Sequence, residues 1–330
     1  MNLNKTEYDP KLNSYEVVIA GGAMIGTAIA WFLISNRDFN GKILVVEKDP
    51  TLEFSSTSRT NNSIRQQFSN RLNIEISKFS SNYILNFKSY MENDERIPEI
   101  MFNKIGYLYL ADNIKKINLL KQNQKLQNSL NIPTKIYDQN SLLEKFPYLN
   151  VKNLIGGSYN NYNEGYFDSN TIFSWWKKKA AEKGVEFIKN EVTEIALDSK
   201  KINAITLKDG SKLKIGSFVN AMGTKASTFD KTHFLRIPVE PRKRYTFIFK
   251  TEAKITNSVP LIIDPTGIHF RSDGNYFLCG CAPEFDNTAA YDDFTIDYEL
   301  WEEKIWPILA NRIPEFERIK LVNALAGHYA

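Results

Sequence analysis

Residues 17–26 read VVIAGGAMIG. They are followed by TAIAWFLISN at 27–36 and by ILVVEKD at 43–49. Val17, Val18 and Ile19 form the apolar run of a parallel strand covered on both faces. Gly21, Gly22 and Gly26 punctuate the turn into a helix, and Glu47 closes a second buried strand 21 residues after Gly26. A strand, a glycine-rich turn, a helix and an acid at this spacing make the dinucleotide-binding fingerprint in its expected context. Gly21 permits the sharp turn. The helix N-terminus presents unpaired N–H groups to a pyrophosphate. Gly26 and Ala30 let the helix sit close to the sheet, and Glu47 can accept hydrogen bonds from a ribose. The second glycine of the fingerprint is Ala23, whose methyl is expected where the backbone approaches phosphate most closely.

Working outward, the 330 residues are 42% hydrophobic and 24% charged, which suits a globular chain of one large or two interleaved domains. The net charge of +4 is spread along the sequence, so nucleic acid is not an expected partner. Lys177–Lys179 read as the solvated face of a helix. No apolar run is long enough for a membrane span. The polar opening MNLNKTEYDPKLNS resembles neither a secretory nor a mitochondrial leader, so a cytoplasmic location is expected. Cys279 and Cys281 are expected to pack as small apolar residues. His233, His269 and His328 show no ligand spacing, so no metal is expected.

The segment SSTSRTNNSIRQQFS, Ser55–Ser69, is too polar for core, with Ile64 and Phe68 as its anchors. Helices are expected at about 72–91, 113–129, 141–146, 171–183 and 296–313, the fourth capped by Asp168 or Ser169 and stopped by Gly184. Strands are expected at 105–110, from VEFIKN, EVTEIAL, KINAITLKDG and KLKIG, and separately from FVNAMG (218–223). From Pro238, PVEPRKRYTFIFK, PLIID, GIHFRS and NYFLCGCAP read as an antiparallel sheet that could floor a substrate site. A helix, a β-meander and a strand ending in glycine are not the alternating βα units of a simple nicotinamide domain.

These residues resemble the D-amino-acid-oxidase-type FAD oxidoreductases, which include sarcosine oxidase and the sarcosine and dimethylglycine dehydrogenases. The nearest likeness is to the FAD-dependent oxidoreductase domain-containing group, which includes a mitochondrial complex I assembly factor. The resemblance rests on VVIAGG, VVEKD, EGYFD (Glu164–Asp168) and VNAMG (Val219–Gly223). More specific are SIRQQFS (Ser63–Ser69), PVEPRKRY (Pro238–Tyr245) and KIWPILANRIPEFE with AGHY. It implies an α/β fold, α+β in part: a Rossmann-like FAD domain from 1–93, 152–236 and 319–330, interleaved with an antiparallel-sheet substrate domain from 94–151 and 237–318. Relatives continue past this last strand with a segment that contacts the flavin ring, so the chain is expected to be truncated.

The same resemblance implies FAD, held by Gly21, Gly22, Ala23, Met24, Ile25, Gly26, Glu47, Lys48, Ser56, Thr57, Ser58, Arg59, Val192, Ala221 and Gly223. Dimethylglycine-type enzymes tether FAD through a histidine in the segment matching SSTSRTN, and sarcosine oxidases through a C-terminal cysteine. Neither is present at the matching place, so non-covalent FAD is expected. The expected substrate is a small secondary amine or N-methylated amino acid, and the electron acceptor is left open. Arg65, Arg244 and Arg271 are the candidate catalytic residues. Arg65 is weighed equally as a carboxylate ligand and as a phosphate clamp or structural bridge. Arg242 and Arg244 share one strand face, opposite Tyr245, and a basic edge strand would explain them as well. The strand around Gly280 is poorer in basic groups than the matching strand of sarcosine oxidase, where they promote reaction with oxygen, and the resemblance therefore implies a dehydrogenase or a non-catalytic relative over an oxidase. A non-catalytic assembly factor retaining the fold is the alternative function, and a nicotinamide dehydrogenase is disfavoured.

Overall fold

A computed structural model describes residues 9–198, 201–232, 237–253, 255 and 258–330. His233 and the first eight residues of the polar opening lie outside the described residues. The fingerprint folds as read. Strand Ser14–Ala20 turns at Gly21–Ala23 into helix Met24–Ile34, and strand Ile43–Glu47 lies parallel to the first. Val18, Ile19, Leu44 and Val45 are fully buried, as expected of strands covered on both faces. The six-stranded sheet runs, in spatial order, 192–198, 201–207, 212–220, 14–20, 43–47, 186–189.

KLKIG and FVN are not two strands. They form one, Lys212–Asn220, which pairs antiparallel with Lys201–Leu207 at its start and parallel with Ser14–Ala20 along the rest. Gly216 reads as a break in sequence, but its Cα packs against the Glu16 backbone, where a Cβ would lie 2.9 Å from the carbonyl oxygen. The gap between the apolar runs is therefore a close approach of strands.

The second sheet has eight strands in the order 319–329, 242–251, 276–280, 269–273, 261–263, 107–111, 156–160, 135–137. Two of them fall outside the expected domain boundaries. Gly156–Asn160 pairs with Tyr107–Ala111, and Ile319–Tyr329 pairs along its length with Arg242–Thr251, so both extend this sheet rather than the nucleotide sheet. Arg242–Thr251 is consequently not an edge strand; Ile319–Tyr329 is. One face of the sheet is apolar, with Leu108, Tyr245, Phe247, Phe249, Phe270, Cys279 and Cys281 buried against Trp301, Ile305, Leu309 and Phe316. Trp301 and Ile305 lie on a π-helical stretch, Leu300–Ile305, that runs into helix Trp306–Arg312, which carries Leu309, and Phe316 lies on the short 3-10 turn Pro314–Glu317 that follows. Pro307 supplies no N–H to the preceding turn, a physical reason for the widened coil there.

Two expectations about polarity need correction. Lys179 is buried and paired, 3.2 Å from Asp94 and 3.4 Å from Glu92, so it is no part of a solvated face. Gln66 and Gln67, in the segment read as too polar for core, are also buried. Their backbone N–H groups and side-chain N–H donors are hydrogen-bonded, and that is what allows the burial.

Candidate active site

The turn that opens helix Met24–Ile34 is shaped by contacts no side chain could share. Gly21 has φ +101°, and a Cβ there would lie 2.3 Å from the Ala221 carbonyl oxygen. A Cβ on Gly26 would lie 1.8 Å from the Gly21 oxygen, so the helix is pressed onto the turn. Ala23 has φ −77° and ψ −164°, an ordinary extended conformation, and it places no side-chain cap on the helix. The Met24 N–H reaches Thr57 Oγ1 at 3.2 Å. Glu47 Oε2 accepts from the Gly22 N–H at 2.7 Å, and its Oε1 accepts from the Asp49 N–H at 2.9 Å.

In front of this turn lies a cleft of about 840 Å³, within the usual range for a cofactor site. Of the residues expected to hold the cofactor, Gly21, Ala23, Ile25, Glu47, Lys48, Ser56, Thr57, Val192, Ala221 and Gly223 line it. Gly22, Met24 and Gly26 do not line it; Gly22 lies against Glu47 and Gly26 against Gly21. Ser58 and Arg59 turn away from it: the Ser58 hydroxyl donates to the Leu52 carbonyl, and Arg59 Nε donates to the Glu53 carbonyl. They fold the 52–59 turn and seat it on the edge strand, where the Arg59 side chain lies against Gly327.

The cleft also has a wall that the motifs did not announce. Tyr291, Asp292, Phe294, Thr295 and His328 approach it from the eight-stranded sheet and its following loop. Phe294 packs on Phe54 with ring centroids 4.8 Å apart, and the His328 ring stacks on Phe294 at 4.4 Å. The His328 carbonyl accepts from the Ser56 hydroxyl at 2.6 Å. The sequence signal here was only a loop rich in Asp, Asn and aromatic residues.

The donor set fits FAD. A helix N-terminus whose N-cap residue Ala23 supplies no side-chain cap opens on the cleft, an acid of the kind that binds a ribose sits at the strand end, and glycines stand at 21, 22 and 26, where a Cβ would clash. The profile of the FAD dependent oxidoreductase family (DAO) matches residues 16–330. The chain belongs to this family.

Curated relatives share the name FAD-dependent oxidoreductase domain-containing protein 1. The Xenopus laevis protein is 30% identical over 95% of this chain and 70% of its own length. The Bos taurus protein is 30% identical over 95% and 71%. Among solved structures, L-proline dehydrogenase from P. horikoshii superposes with a TM-score of 0.81 at 24% identity, covering 96% of this chain and 82% of that one. Glycine oxidase from Geobacillus kaustophilus gives 0.79 at 18% identity, covering 96% and 83%. At these identities the structures establish the fold.

In this oxidoreductase the second face of the eight-stranded sheet, opposite the apolar cluster, carries Arg244, Thr246, His269, Arg271, Tyr107 and Tyr109. It is turned toward the segment after the second strand: Thr246 Oγ1 meets Asn61 Oδ1 at 3.2 Å, and Arg271 donates to the Asn61 carbonyl at 2.9 Å. The three candidate arginines have different surroundings. Arg244 forms two 2.7 Å bonds to the Asp286 carboxylate. Arg271 is 3% exposed, bonds Asp273 at 2.7 Å, and lies 3.9 Å from the centre of the Tyr166 ring. Arg65 makes no ion pair among the described residues; its guanidinium lies 4.6 Å from the Phe68 ring centre and 6.0 Å from that of Tyr109. Burial pushes the His269 pKa down to about 4, which leaves a neutral imidazole on this face. Among the described residues no cluster of acids, histidines or cysteines could hold a metal ion, and no helix is long and apolar enough to cross a membrane.

Proposed function

We propose that the chain oxidises a small secondary amine or N-methylated amino acid, with FAD held non-covalently, and that it acts as a dehydrogenase. One observation carries the substrate class: of the three arginines on or beside the substrate face, Arg65 alone has no carboxylate partner. Its planar fork, flanked by Phe68 and Tyr109, suits a substrate carboxylate bound in two-point fashion. Aromatic walls and the neutral His269 leave the amine end without a counter-ion, so the neutral amine is the form favoured there. Bound flavin supplies the two-electron acceptor for the C–H bond next to nitrogen. The protein's part is to hold that bond in place and to exclude water.

Non-covalent binding is supported by the state of the candidate tethers. Cys279 and Cys281 are buried in the sheet core, and His328 is stacked on Phe294 with its Nε2 2.9 Å from the Asp293 carbonyl oxygen. The dehydrogenase reading is supported by strand Tyr276–Gly280, whose residues on the substrate face, Tyr276, Leu278 and Gly280, include no basic group.

A second reading is a scaffold that keeps the flavin fold without turnover, as in respiratory complex I assembly. The exposed row Leu72, Ile76 and Phe79 on helix Arg71–Leu85 favours it, because such a stripe suits a protein contact. The test is the visible spectrum of FAD-reconstituted protein on anaerobic addition of sarcosine, dimethylglycine or proline. Bleaching of the flavin band is the expected result. A flavin-loaded protein reduced by none of them selects the scaffold, and failure to retain FAD rejects both readings.

A further inference from the structure

Glu164 is completely buried, and among the described residues it forms no ion pair. Its Oε1 accepts from the backbone N–H groups of Gln66 at 2.6 Å and Gln67 at 2.9 Å. Its Oε2 accepts from Gln67 Nε2 at 3.0 Å. The same Nε2 donates to the Tyr107 carbonyl at 2.9 Å, and Gln67 Oε1 accepts from the Ser158 hydroxyl at 2.9 Å. One carboxylate thus fastens the two residues after Arg65 to strands of the substrate sheet. The Arg65 carbonyl, in the same peptide as the Gln66 N–H, accepts from the Ser77 hydroxyl, and upstream of Arg65 strand Ser63–Ile64 pairs with strand Gly165–Phe167. The backbone is gripped on both sides of Arg65, while its guanidinium rests against Phe68 and Tyr109 with no carboxylate partner among the described residues.

A buried, unpaired carboxylate is costly, and the three N–H donors from Gln66 and Gln67 that it accepts offset part of that cost. What a carboxylate offers here is acceptance only. Both oxygens face donors, so any group carrying a hydrogen at Oε2 would confront Gln67 Nε2 donor to donor. Gln67 Nε2 would then lose its acceptor at Oε2, and the segment bearing Arg65 would lose that tie.

We propose that Glu164 is the positioning residue of an anion site at Arg65, holding the 65–67 backbone so that the guanidinium stands at Tyr109 to receive a substrate carboxylate. This rests on the reading of Arg65 given above. The ionisable groups around Glu164 are Arg65 from its own loop, Tyr107 and Tyr109 from strand Tyr107–Ala111, and Tyr159 from strand Gly156–Asn160. Burial raises Glu164 to about 7. Protonation within the neutral range therefore places a hydrogen on the carboxyl, the same insult as Glu164→Gln.

The sign of the pH effect separates positioning from simple charge. If Glu164 positions Arg65, affinity for an anion rises as pH rises through neutrality, because the ionised carboxylate restores the grip. If Glu164 acts only as a nearby negative charge, affinity falls over the same interval. The experiment is titration of the protein with 13C-labelled acetate, followed by NMR line broadening, for the wild type and for Glu164→Gln, Glu164→Asp and Arg65→Ala. It needs no turnover. The expected wild-type result is affinity increasing through neutral pH. Glu164→Gln should bind acetate about tenfold more weakly and show no such rise. Glu164→Asp should fold and keep part of the pH dependence. Arg65→Ala should abolish binding. If Arg65→Ala binds acetate as the wild type does, the Arg65 reading fails and this proposal with it. If Arg65→Ala loses binding but Glu164→Gln keeps the wild-type affinity and profile, the proposal alone is overturned. Affinity falling with pH in the wild type also overturns it.

Discussion

Glu47 Oε2 accepts a hydrogen bond from the Gly22 N–H at 2.7 Å, which ties the end of the second strand to the middle of the glycine turn. The approach is close: a Cβ on Gly22 would lie 2.9 Å from Glu47 Cβ. The acid is thus part of the cradle as well as the proposed ribose ligand. Asp49 N–H on its other oxygen fixes the carboxylate plane. A group oriented in advance has less freedom to lose when it takes up the nucleotide.

Replacing Glu47 should therefore cost more than one ribose contact. Glu47→Ala leaves the Gly22 and Asp49 N–H groups without their acceptor, whereas Glu47→Gln keeps shape and loses charge. Charge-assisted hydrogen bonds contribute about 1.5–3 kcal/mol each. We expect Glu47→Gln to weaken FAD by about tenfold and Glu47→Ala by about 100-fold. Recovery of flavin fluorescence on dilution of loaded protein gives both constants, and equal losses in the two variants would contradict the dual role.

The glycines should respond in the reverse order to what the flawed fingerprint suggests. Ala23 breaks the motif yet has an unstrained backbone. Ala23→Gly should leave the melting temperature within a few degrees and modestly tighten FAD, since glycine is at least as good as alanine at a helix N-cap. Gly26→Ala forces a methyl within 1.8 Å of the Gly21 oxygen and should prevent stable folding. Thermal denaturation with and without FAD checks both.

Why these outcomes were only partly legible follows from particular residues. The Val17–Glu47 unit could be read because each of its signals lies within one contiguous βαβ segment. Asp168 and Gly184 marked their helix for the same reason: the cap and the stop are local. Ile319–Tyr329 was assigned to the wrong sheet because its partner, Arg242–Thr251, is distant in sequence and nothing local distinguishes the two sheets. The polar run at Ser63–Ser69 reads as exposed because the partners that let Gln66 and Gln67 be buried, Glu164, Tyr107, Ser158 and Tyr162, are all distant in sequence. The Tyr291–Thr295 wall of the cleft carried no motif at all.

The Glu164 carboxyl also predicts a stability profile. Its ordinary value is 4.5 and the fold raises it to about 7, with burial as the main cause. The folded state therefore holds the proton more tightly than the unfolded chain. Its contribution to stability is fully present below 4.5, declines as pH rises to about 7, and is flat above that. The span is on the order of 3 kcal/mol. Glu164→Gln does not titrate, so the difference in unfolding free energy between wild type and variant should shift in favour of the variant as pH rises across that window. Urea denaturation at a series of pH values measures it, and a constant difference would show that the carboxyl does not titrate there.

Arg65 and Arg271 should separate binding from stability. Arg271 is buried, faces Tyr166 and bonds both Asp273 and the Asn61 carbonyl, so it joins the substrate sheet to the loop after the second nucleotide strand. Arg271→Met removes a desolvated cation–π contact and the bonds to Asp273 and the Asn61 carbonyl, a loss of about 2–4 kcal/mol. Arg65 is partly buried over the Phe68 ring and has no acid to leave behind, so Arg65→Met should change stability by less than about 1 kcal/mol. On a carboxylate-bearing amine, Arg65→Met should raise KM at least about tenfold, the scale of one lost charge-assisted contact. On an amine without a carboxylate it should change little. Arg271→Met should lower Tm while leaving the ratio of the two substrates' kcat/KM near the wild-type value. If Arg65→Met instead lowers Tm and spares that ratio, Arg65 is a structural bridge and the carboxylate must be sought elsewhere on the face.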